Sequence, residues 1–328
     1  MRLVASLLIA LTGCGRYDDF TLPPKARSPG KALPDWRERP APVMSFGSPG
    51  SWDYVDALNP SVLLHQGKFW NFYSGFDGKV WHTGVATSQD GIHWDKRGKI
   101  LSPDPASWEG GYIAANGSAL HVGEEWWYWY QAGDPPRIGL ARSRDGLHWE
   151  KLPASVLETG PRGGWDERGV ADPYVVRIGG WYYMYFLGQD RARRQRLGLA
   201  RSRDGVEWWK LRANPILELG ELGSFDELGL GEPAIWESQD RYWMLYTGRS
   251  VGERRRMSLA QSRDGVNWER VPIVIAGSRP WNHAVVCDAT VLVEREQLRI
   301  WFGGGDVPHP AENIHGQIGY AELRIRSQ

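Results

Sequence analysis

The sequence predicts an all-β protein, a five-bladed β-propeller whose four-stranded antiparallel blades are closed by an N-terminal strand. Two observations support this: a hairpin motif recurs every 55 to 60 residues, and an aromatic, strand-like run precedes each copy. A third observation is that the last unit lacks its final strand, while a matching strand-like segment precedes the first unit. Together they place 36–328 in one propeller domain, preceded by 1–13 as a signal peptide and 14–35 as a flexible tether.

The recurring hairpin motif ends in tryptophan. Its copies are TSQDGIHW (87–94), SRDGLHW (143–149), SRDGVEW (202–208) and SRDGVNW (262–268). Glycine reaches positive φ without steric cost, and Asp-Gly pairs favour tight turns between strands. We therefore interpret these pairs as turn chemistry rather than as functional residues.

The aromatic runs define the repeating unit. They read KFWNFYSG, EEWWYWYQAG, GWYYMYFLG, RYWMLYTG and, without a hairpin motif after it, LRIWFGGG at 298–305. Another short strand precedes each run and begins with NPSV, NGSA, DPYV, EPAI or DATV. Segments of this kind, bounded by turn residues, are typical of strands, so each unit has about four strands.

The ends of the chain predict how the fifth unit is completed. That unit stops at IGYAELRI (318–325) and lacks a final strand, whereas a matching segment, WRERPAPVM, stands at 36–44. Pairing of these two segments leaves no open sheet edge. The sequence therefore predicts five blades.

The N-terminus has the pattern of a secretory signal. Residues 1–13 combine Arg2 with an apolar stretch too short to span a bilayer. LTGC at 11–14 resembles the bacterial lipobox, which implies lipid attachment at Cys14 and export to a membrane, with the outer membrane favoured by Gly15. An ordinary cleaved signal is the alternative. Polar residues and prolines at 15–35 are typical of a flexible tether, and Cys287, the remaining cysteine, is expected in a buried strand.

Composition narrows the classes of partner. The chain has 39 Lys and Arg residues and 39 Asp and Glu residues, so its charges balance. We interpret the densest basic segment, RARRQR at 191–196, as a solvated hairpin tip. A nucleic-acid partner is therefore not expected. The 19 tryptophans suit both blade packing and stacking against sugars. No metal motif of usable spacing is present, and we expect no cofactor.

One repeat position carries acids in three consecutive units. The innermost strand of each blade lines the axis of a propeller, so its first residues form a ring. These are Asn59, Asn116, Asp172, Glu232 and Asp288. Crowded carboxylates raise one another's pKa, which leaves a proton donor beside an ionised partner. The alternative is turn capping, for which glutamate is poorly suited.

A second repeated pair precedes each ring residue: WD (52–53), WE (108–109), WD (165–166), FD (225–226) and WN (281–282). Recurrence in all five units favours packing and backbone hydrogen bonding. We also consider Trp52, Trp108 and Trp281 as platforms that stack on sugars. His283 lies beside the ring and is a candidate for orienting a ligand or water.

ADPYV (171–175), GEPAI (231–235) and the hairpin motifs resemble the five-bladed propeller glycoside hydrolases, the superfamily of families 43 and 32 and their relatives in family 130. The resemblance covers about 36–325. It implies an aspartate base or nucleophile, an aspartate that tunes pKa and a glutamate general acid on three consecutive blades. Glu232 then matches the general acid and Asp172 the tuning aspartate.

The residue that matches the base of these relatives is Asn116, which cannot accept a proton as a carboxylate does. Asp288, Glu109 or Asp56 are the candidates to replace it. This departure leaves three functions open. The first is hydrolysis of arabinan-, xylan- or fructan-type glycans, the second is carbohydrate binding without catalysis, and the third is phosphorolysis, with phosphate held by Arg142, Arg201 and Arg249.

Overall fold

The computed structural model describes residues 16–26, 30–294 and 297–327. Across these ranges the chain is all-β, with 21 strands and no helix. Accordingly, the described residues include no helix that is long and apolar enough to cross a bilayer. The predicted fold class is confirmed at this level.

Five repeat units account for most of the strands. Units 1 and 2 contain β3 (Asp56–His65), β4 (Lys68–Phe76), β5 (Trp81–Ser88), β6 (Asp95–Leu101), β7 (Ala114–Val122), β8 (Glu125–Ala132), β9 (Arg137–Ser143) and β10 (Glu150–Lys151). Units 3 and 4 contain β11 (Gly169–Ile178), β12 (Trp181–Gln189), β13 (Gln195–Ser202), β14 (Trp209–Leu211), β15 (Gly229–Ser238), β16 (Arg241–Arg249), β17 (Arg255–Ser262) and β18 (Glu269–Arg270). Within each unit, consecutive strands pair antiparallel.

Unit 5 combines the two ends of the described chain. It contains β19 (Val285–Glu294), β20 (Gln297–Gly305), β21 (Gln317–Ser327) and, from the N-terminal side, β2 (Ala32–Glu38). β2 pairs antiparallel with β21, and Met44 forms a further bridge to Ile318. The terminal segments therefore pair with each other, and the N-terminal strand begins at Ala32 rather than at Trp36.

The first strands of the units lie side by side around one axis. β3 contacts β7, β7 contacts β11, β11 contacts β15 and β15 contacts β19, which in turn contacts β3. Apolar side chains fill the spaces between neighbouring units, and Trp129, Trp243 and Trp301 are fully buried there. The axis is therefore the place where residues from all five units meet.

The hairpin motifs have the expected turn chemistry. In unit 3, Ser202 Oγ accepts hydrogen bonds from the amides of Asp204 and Gly205. Asp204 Oδ1 accepts hydrogen bonds from the amides of Val206 and Glu207. Gly205 has a φ of +73°, as the turn requires. Its carbonyl accepts a hydrogen bond of 2.8 Å from Trp129 Nε1 in unit 2. The motif thus shapes the turn and also joins adjacent units.

The repeated aromatic-acid pair is architectural. Asp53 is buried and accepts hydrogen bonds from Tyr73 on β4 and Lys96 on β6, at 2.9 and 2.6 Å. Glu109, Asp166 and Asp226 bind a lysine or arginine of the outer strand in the same way. Since a buried carboxylate needs a cationic partner, each pair ties a loop to the fourth strand of its unit.

The N-terminal segment differs from the prediction of a flexible tether at 14–35. Residues 17 and 18 form β1 (Tyr17–Asp18), which pairs with β14, and Leu22 is fully buried against the unit 4 hairpin. Lys25 pairs with Glu237. The prediction is wrong for 16–26 because Leu22 and backbone hydrogen bonds fix a segment whose composition alone is typical of a linker. Residues 1–13 and Cys14 lie outside the described residues.

Candidate functional site

The five ring positions form one constellation on the axis. Each follows the start of its inner strand at a β-bulge, where the register with the second strand shifts. Each also has positive φ, between 46° and 54°, at Asn59, Asn116, Asp172, Glu232 and Asp288. All five line a narrow space on the axis. The structure therefore brings together the whole ring predicted from the sequence.

Positive φ explains which residue types occupy the ring. Asn and Asp tolerate the left-handed region better than other non-glycine residues, so four of the five positions satisfy the bulge with small polar side chains. Glu232 has no such preference and still holds a φ of 53°. Backbone strain of this kind persists where the surrounding structure requires it and is concentrated at functional sites.

Above the ring the axis opens into a cavity of about 210 Å³, which we call the mouth. Besides the five ring residues, its lining includes Trp81, Tyr112, Gln131, Gln195, Arg249 and Arg255. These side chains come from the loops and from the ends of second and third strands. The mouth therefore combines carboxyl groups, hydrogen-bonding amides, aromatic rings and arginines.

Glu232 and Asp288 are in direct contact. The Asp288 amide donates to Glu232 Oε2 at 3.2 Å, and the Cys287 thiol donates to Asp288 Oδ2 at 3.1 Å. Asp288 is buried, and its Oδ1 has no hydrogen-bond partner among the described residues. Burial raises the pKa of the Cys287 thiol well above its usual range, so Cys287 is a buried hydrogen-bond donor, as expected, and not a nucleophile.

Two of the three acids have raised pKa values. Burial and the negative charge of Glu232 raise the pKa of Asp172 to about 8. The same two causes raise the pKa of Asp288 well above its usual range, and the Arg255 guanidinium opposes both shifts. These shifts favour the protonated forms of Asp172 and Asp288. The sequence led us to expect the raised pKa at Glu232, with Asp172 and Asp288 ionised. The expectation for the two aspartates is wrong, because burial and the charge of Glu232 raise their pKa values instead.

Asn116 occupies the place of the expected base. Its side chain accepts a hydrogen bond from Ser74 Oγ at 3.0 Å and donates to Asp172 Oδ1 at 3.4 Å. A second weak bond of 3.4 Å joins it to Gln131. Asn116 thus positions Asp172 without offering a carboxylate.

Two of the candidate bases serve other roles. Asp56 is fully buried and accepts hydrogen bonds from the amides of Asn313, Ile314 and Gly316. Glu109 is bound by Tyr130 and Lys151, both at 2.5 Å. Neither lines the mouth, so both candidates are wrong. Of the three candidates, Asp288 alone belongs to the ring.

The candidate sugar platforms Trp52, Trp108 and Trp281 do not line the mouth. Their rings lie on glycines of their own units: a Cβ atom added at Gly75 would lie 2.2 Å from Trp52. The same packing occurs for Trp281 on Gly304. Their prediction as platforms is wrong because these rings fill the space left by glycine backbone.

His283 does not lie beside the ring, where the sequence predicted it. It is exposed, its Nδ1 lies 3.0 Å from the Pro280 carbonyl, and it does not line the mouth. The aromatic residues that do line the mouth are Trp81 and Tyr112. Tyr112 is 47% exposed, which leaves its ring free to contact a ligand.

The arginines proposed to hold phosphate are separated in the structure. Arg142 stacks on Trp127 and Arg201 pairs with Asp18, both away from the mouth. Arg249 does line the mouth and pairs with Glu253 at 3.3 Å. Arg255, which was not among the predicted site residues, lies beside Glu232 and Asp288. The basic segment at 191–196 covers most of the turn between β12 and β13 and the first two residues of β13.

A signal for Trp81 and Arg255 is present in the sequence. Both begin the third strand of their unit, where the other units have Arg137, Gln195 and Gln317. The repeat keeps this position facing the same end of the molecule but varies its chemistry.

The group of side chains closest to a metal-ligand set is Glu232, Cys287 and Asp288, whose donor atoms lie within 4.8 Å of one another. The Arg255 guanidinium faces the same group and already supplies positive charge. The thiol is protonated, which further weakens it as a ligand. The chemistry of this donor set fits proton handling better than metal binding.

Comparison with known proteins identifies the family. The family model for the glycosyl hydrolases family 32 N-terminal domain matches residues 59–220 and, in a second overlapping alignment, 138–296. Together the matches cover most of the chain. The chain belongs to this family. Membership of this family supports a carbohydrate-active, glycosidase-like enzyme.

Solved structures agree on the fold. A "Glycoside hydrolase" superimposes with a TM-score of 0.71 at 17% identity, covering 87% of this chain and 92% of that one. A beta-1,2-mannobiose phosphorylase from Listeria innocua gives 0.70 at 13% identity, covering 88% and 97%. In sequence, an uncharacterized protein of Mycobacterium tuberculosis, Rv1502, is 27% identical over 228 residues, 64% of this chain and 73% of the relative.

Proposed function

We propose that the chain is a glycoside hydrolase in which Glu232 delivers a proton to the leaving oxygen of a glycan or oligosaccharide. The observation that carries the proposal is the cluster of Glu232 with Asp172 and Asp288 in one space on the axis, where the Asp288 amide binds Glu232 and both aspartates have raised pKa values. Glycosidic cleavage requires a protonated carboxyl group and an ionised one at the same bond. Membership of a glycosyl hydrolase family supports the same conclusion.

We infer that the five repeat units are the blades of one closed ring. The contact of β19 with β3 and the pairing of β2 with β21 support this inference. So does the Trp301 indole in unit 5, which donates to the Gly91 carbonyl of unit 1 at 2.7 Å. A closed ring keeps the inner strands at fixed separations, which the preorganisation of a catalytic site requires.

In the proposed mechanism, the proton that reaches the leaving oxygen comes through Glu232. The raised pKa of the neighbouring Asp288 favours its protonated form, so a proton can move from the Asp288 carboxyl group to Glu232 when a sugar oxygen approaches. The glycosidic bond then breaks through an oxocarbenium-like transition state. Water adds to the sugar, and its proton returns to the acid pair. Asp172, aligned by Asn116, donates a hydrogen bond to the sugar.

A second candidate function is phosphorolysis, and one observation favours it. Asn116 stands at the base position, and phosphate is a nucleophile that arrives already ionised. Arg249 lines the mouth, and its Nε has no hydrogen-bond partner among the described residues. The fold similarity to a beta-1,2-mannobiose phosphorylase is compatible with this function.

The deciding experiment is a screen with and without inorganic phosphate. Aryl glycosides and arabinan, xylan, fructan and mannan are incubated with the parent and with Glu232→Gln. Hydrolysis proceeds without phosphate and is reduced in Glu232→Gln, whereas phosphorolysis requires phosphate and yields a sugar phosphate. Sugar binding without turnover of any substrate would instead identify a carbohydrate-binding propeller and contradict both enzymatic proposals.

We further propose that the protein is exported and anchored to a bacterial membrane, the outer membrane being the favoured one, by a lipid at Cys14. The support is the lipobox-like LTGC at 11–14. The propeller would then act on glycans that reach the cell surface or the periplasm.

A further inference from the structure

The segment between β20 and β21 forms one wall of the mouth. Its Pro310 and Ala311 line the cavity, although the segment belongs to unit 5 and the cavity is shared by all units. We call residues 306–316 the wall loop. The base of the loop is held internally, because the Asp306 amide donates to the Ile314 carbonyl at 3.1 Å.

Three other units hold the wall loop. Asp56 of unit 1 accepts the amides of Asn313 and Gly316, both at 2.6 Å. The Tyr112 hydroxyl, between units 1 and 2, donates to Glu312 Oε2 at 2.8 Å. The contact from unit 4 comes from Arg255 and reaches the part of the loop nearest the cavity.

Arg255 binds the loop through backbone carbonyls. Its Nη2 donates to the carbonyls of His309 and Pro310 at 2.9 and 2.7 Å. The residue is 8% exposed, so these bonds form where little water competes. Hydrogen bonds from a charged donor are among the stronger ones in proteins.

The same guanidinium faces the acids of the site. Despite burial, the pKa of Arg255 is raised by its electrostatic interaction with Cys287, Glu232 and Asp288. Arg255 in turn lowers the pKa of both Asp172 and Asp288. A single residue therefore contacts the wall of the cavity and balances the charge of its acids. None of the other residues that hold the wall loop faces these acids in this way.

We propose that Arg255 is a positioning residue, which places the wall loop against the mouth and fixes the charge state of the acids beside it. The proposal rests on the proposed function, since it concerns the same site. Its two consequences are separable. Through the loop, Arg255 controls how tightly a sugar is enclosed; through its charge, it controls the pH range over which the acids keep their protons.

Three variants separate these consequences. Arg255→Gln removes the charge and the paired hydrogen bonds. Arg255→Lys keeps the charge but presents a shorter donor without the planar guanidinium geometry. Glu312→Ala loosens the loop at its contact with Tyr112 and leaves the charge of Arg255 in place. Thermal unfolding is recorded for each variant to establish that it is folded.

Two readouts do not depend on catalysis. Hydrogen exchange of the wall-loop amides should accelerate at least about tenfold in Arg255→Gln and in Glu312→Ala, because a charged or carboxylate contact to the loop is lost. Carboxyl titration by NMR should show the pKa of Asp172 and of Asp288 rising in Arg255→Gln alone. In Arg255→Lys, the acids should titrate as in the parent while loop exchange accelerates.

Turnover supplies a third readout on any substrate the parent cleaves. Glu312→Ala should raise KM with little change in the pH profile, whereas Arg255→Gln should also move the pH profile upward. Unchanged loop exchange and unchanged titration in Arg255→Gln would overturn the proposal, even in an active enzyme. If Arg255→Gln does not fold, parent-like loop exchange in Arg255→Lys would overturn it. Altered exchange and titration in a chain that cleaves nothing would support the positioning role and contradict the proposed function.

Discussion

The amide of Asp288 donates a hydrogen bond to Oε2 of Glu232 across the boundary between units 4 and 5. Both residues stand at the bulge of their inner strand with positive φ, so the bulge directs each side chain to the axis. A contact between units thus arises from a repeat position within each unit. Burial and the nearby charge of Glu232 also raise the pKa of Asp288, which favours its protonated form.

The raised pKa of Asp172 predicts a pH-dependent stability. The folded-state pKa is about 8 and the unfolded value is near the ordinary one for aspartate, so the folded state binds the extra proton between them. Stability from this group is fully present below the unfolded pKa and is lost as pH rises through the folded pKa. Asp172→Asn removes this loss, since the amide is neutral at every pH and still hydrogen-bonds.

We therefore expect the melting temperature of Asp172→Asn to exceed that of the parent by at least about 2 °C near about pH 9. The difference should shrink towards about pH 5, where Asp172 is protonated. Differential scanning calorimetry across this range measures it. Asp190→Asn, a control at an acid whose pKa is lowered, should show the opposite trend. A constant difference at all pH values would contradict the assignment of the proton to Asp172.

Tyr112 should contribute to sugar binding, and Trp52 should contribute to stability. Tyr112 is half-exposed on the mouth, so Tyr112→Ala should raise KM about 3- to 10-fold with a smaller effect on kcat.

Trp52 packs on Gly75 and Gly84, and Trp52→Ala should destabilise the fold by about 3–5 kcal/mol. Calorimetry and steady-state kinetics on both variants test this contrast. A selective KM effect in Trp52→Ala would restore it as a platform.

The sequence was sufficient to predict the repeat and the ring, because both depend on local signals. Asp-Gly turns and aromatic strands are read within a few residues, and a repeat places equivalent residues at equal heights. The function of Trp52 was ambiguous for a physical reason. A tryptophan that stacks on glycine backbone and one that stacks on a sugar have the same local pattern, and the glycines at 75 and 84 are far from it in sequence.

The wall loop and the N-terminal segment were beyond prediction for a related reason. Arg255 gains its role from carbonyls more than fifty residues away, at 309 and 310, which no local pattern reveals. Leu22 is buried only because the unit 4 hairpin offers it a space beside Gly265. In both cases tertiary contacts override composition. The sequence also could not predict which of the three acids has a raised pKa, because this depends on which carboxyl groups are buried in the folded chain.

Lipid attachment at Cys14 predicts the partition of the mature protein. The parent should sediment with membranes after cell fractionation and should enter the detergent phase in Triton X-114 extraction, because an acyl chain contributes favourable transfer for each buried methylene. Cys14→Ser removes the attachment site and should shift the protein to the soluble fraction. Cys287→Ser is the matched control, because its thiol is buried. A soluble parent would contradict the lipobox interpretation.

Glu232→Gln tests the proposed catalytic role most directly. Glutamine keeps the shape of the side chain and can still accept the Asp288 amide, but it cannot transfer a proton to a leaving oxygen. Loss of general-acid catalysis costs about 10²- to 10⁴-fold in rate. We expect a loss of this size in kcat on natural glycans, whose leaving groups are poor.

Leaving-group dependence distinguishes proton transfer from a general disturbance of the mouth. The leaving groups of activated aryl glycosides depart with little assistance, so Glu232→Gln should impair the turnover of these substrates least. A plot of log kcat against leaving-group pKa should therefore fall steeply in the variant and weakly in the parent. Because the negative charge of Glu232 raises the pKa of Asp172, its removal should also ease that repulsion and keep the melting temperature at or above the parent's. Equal losses on activated and natural substrates would contradict proton delivery by Glu232, and unimpaired turnover would place the acid elsewhere in the mouth.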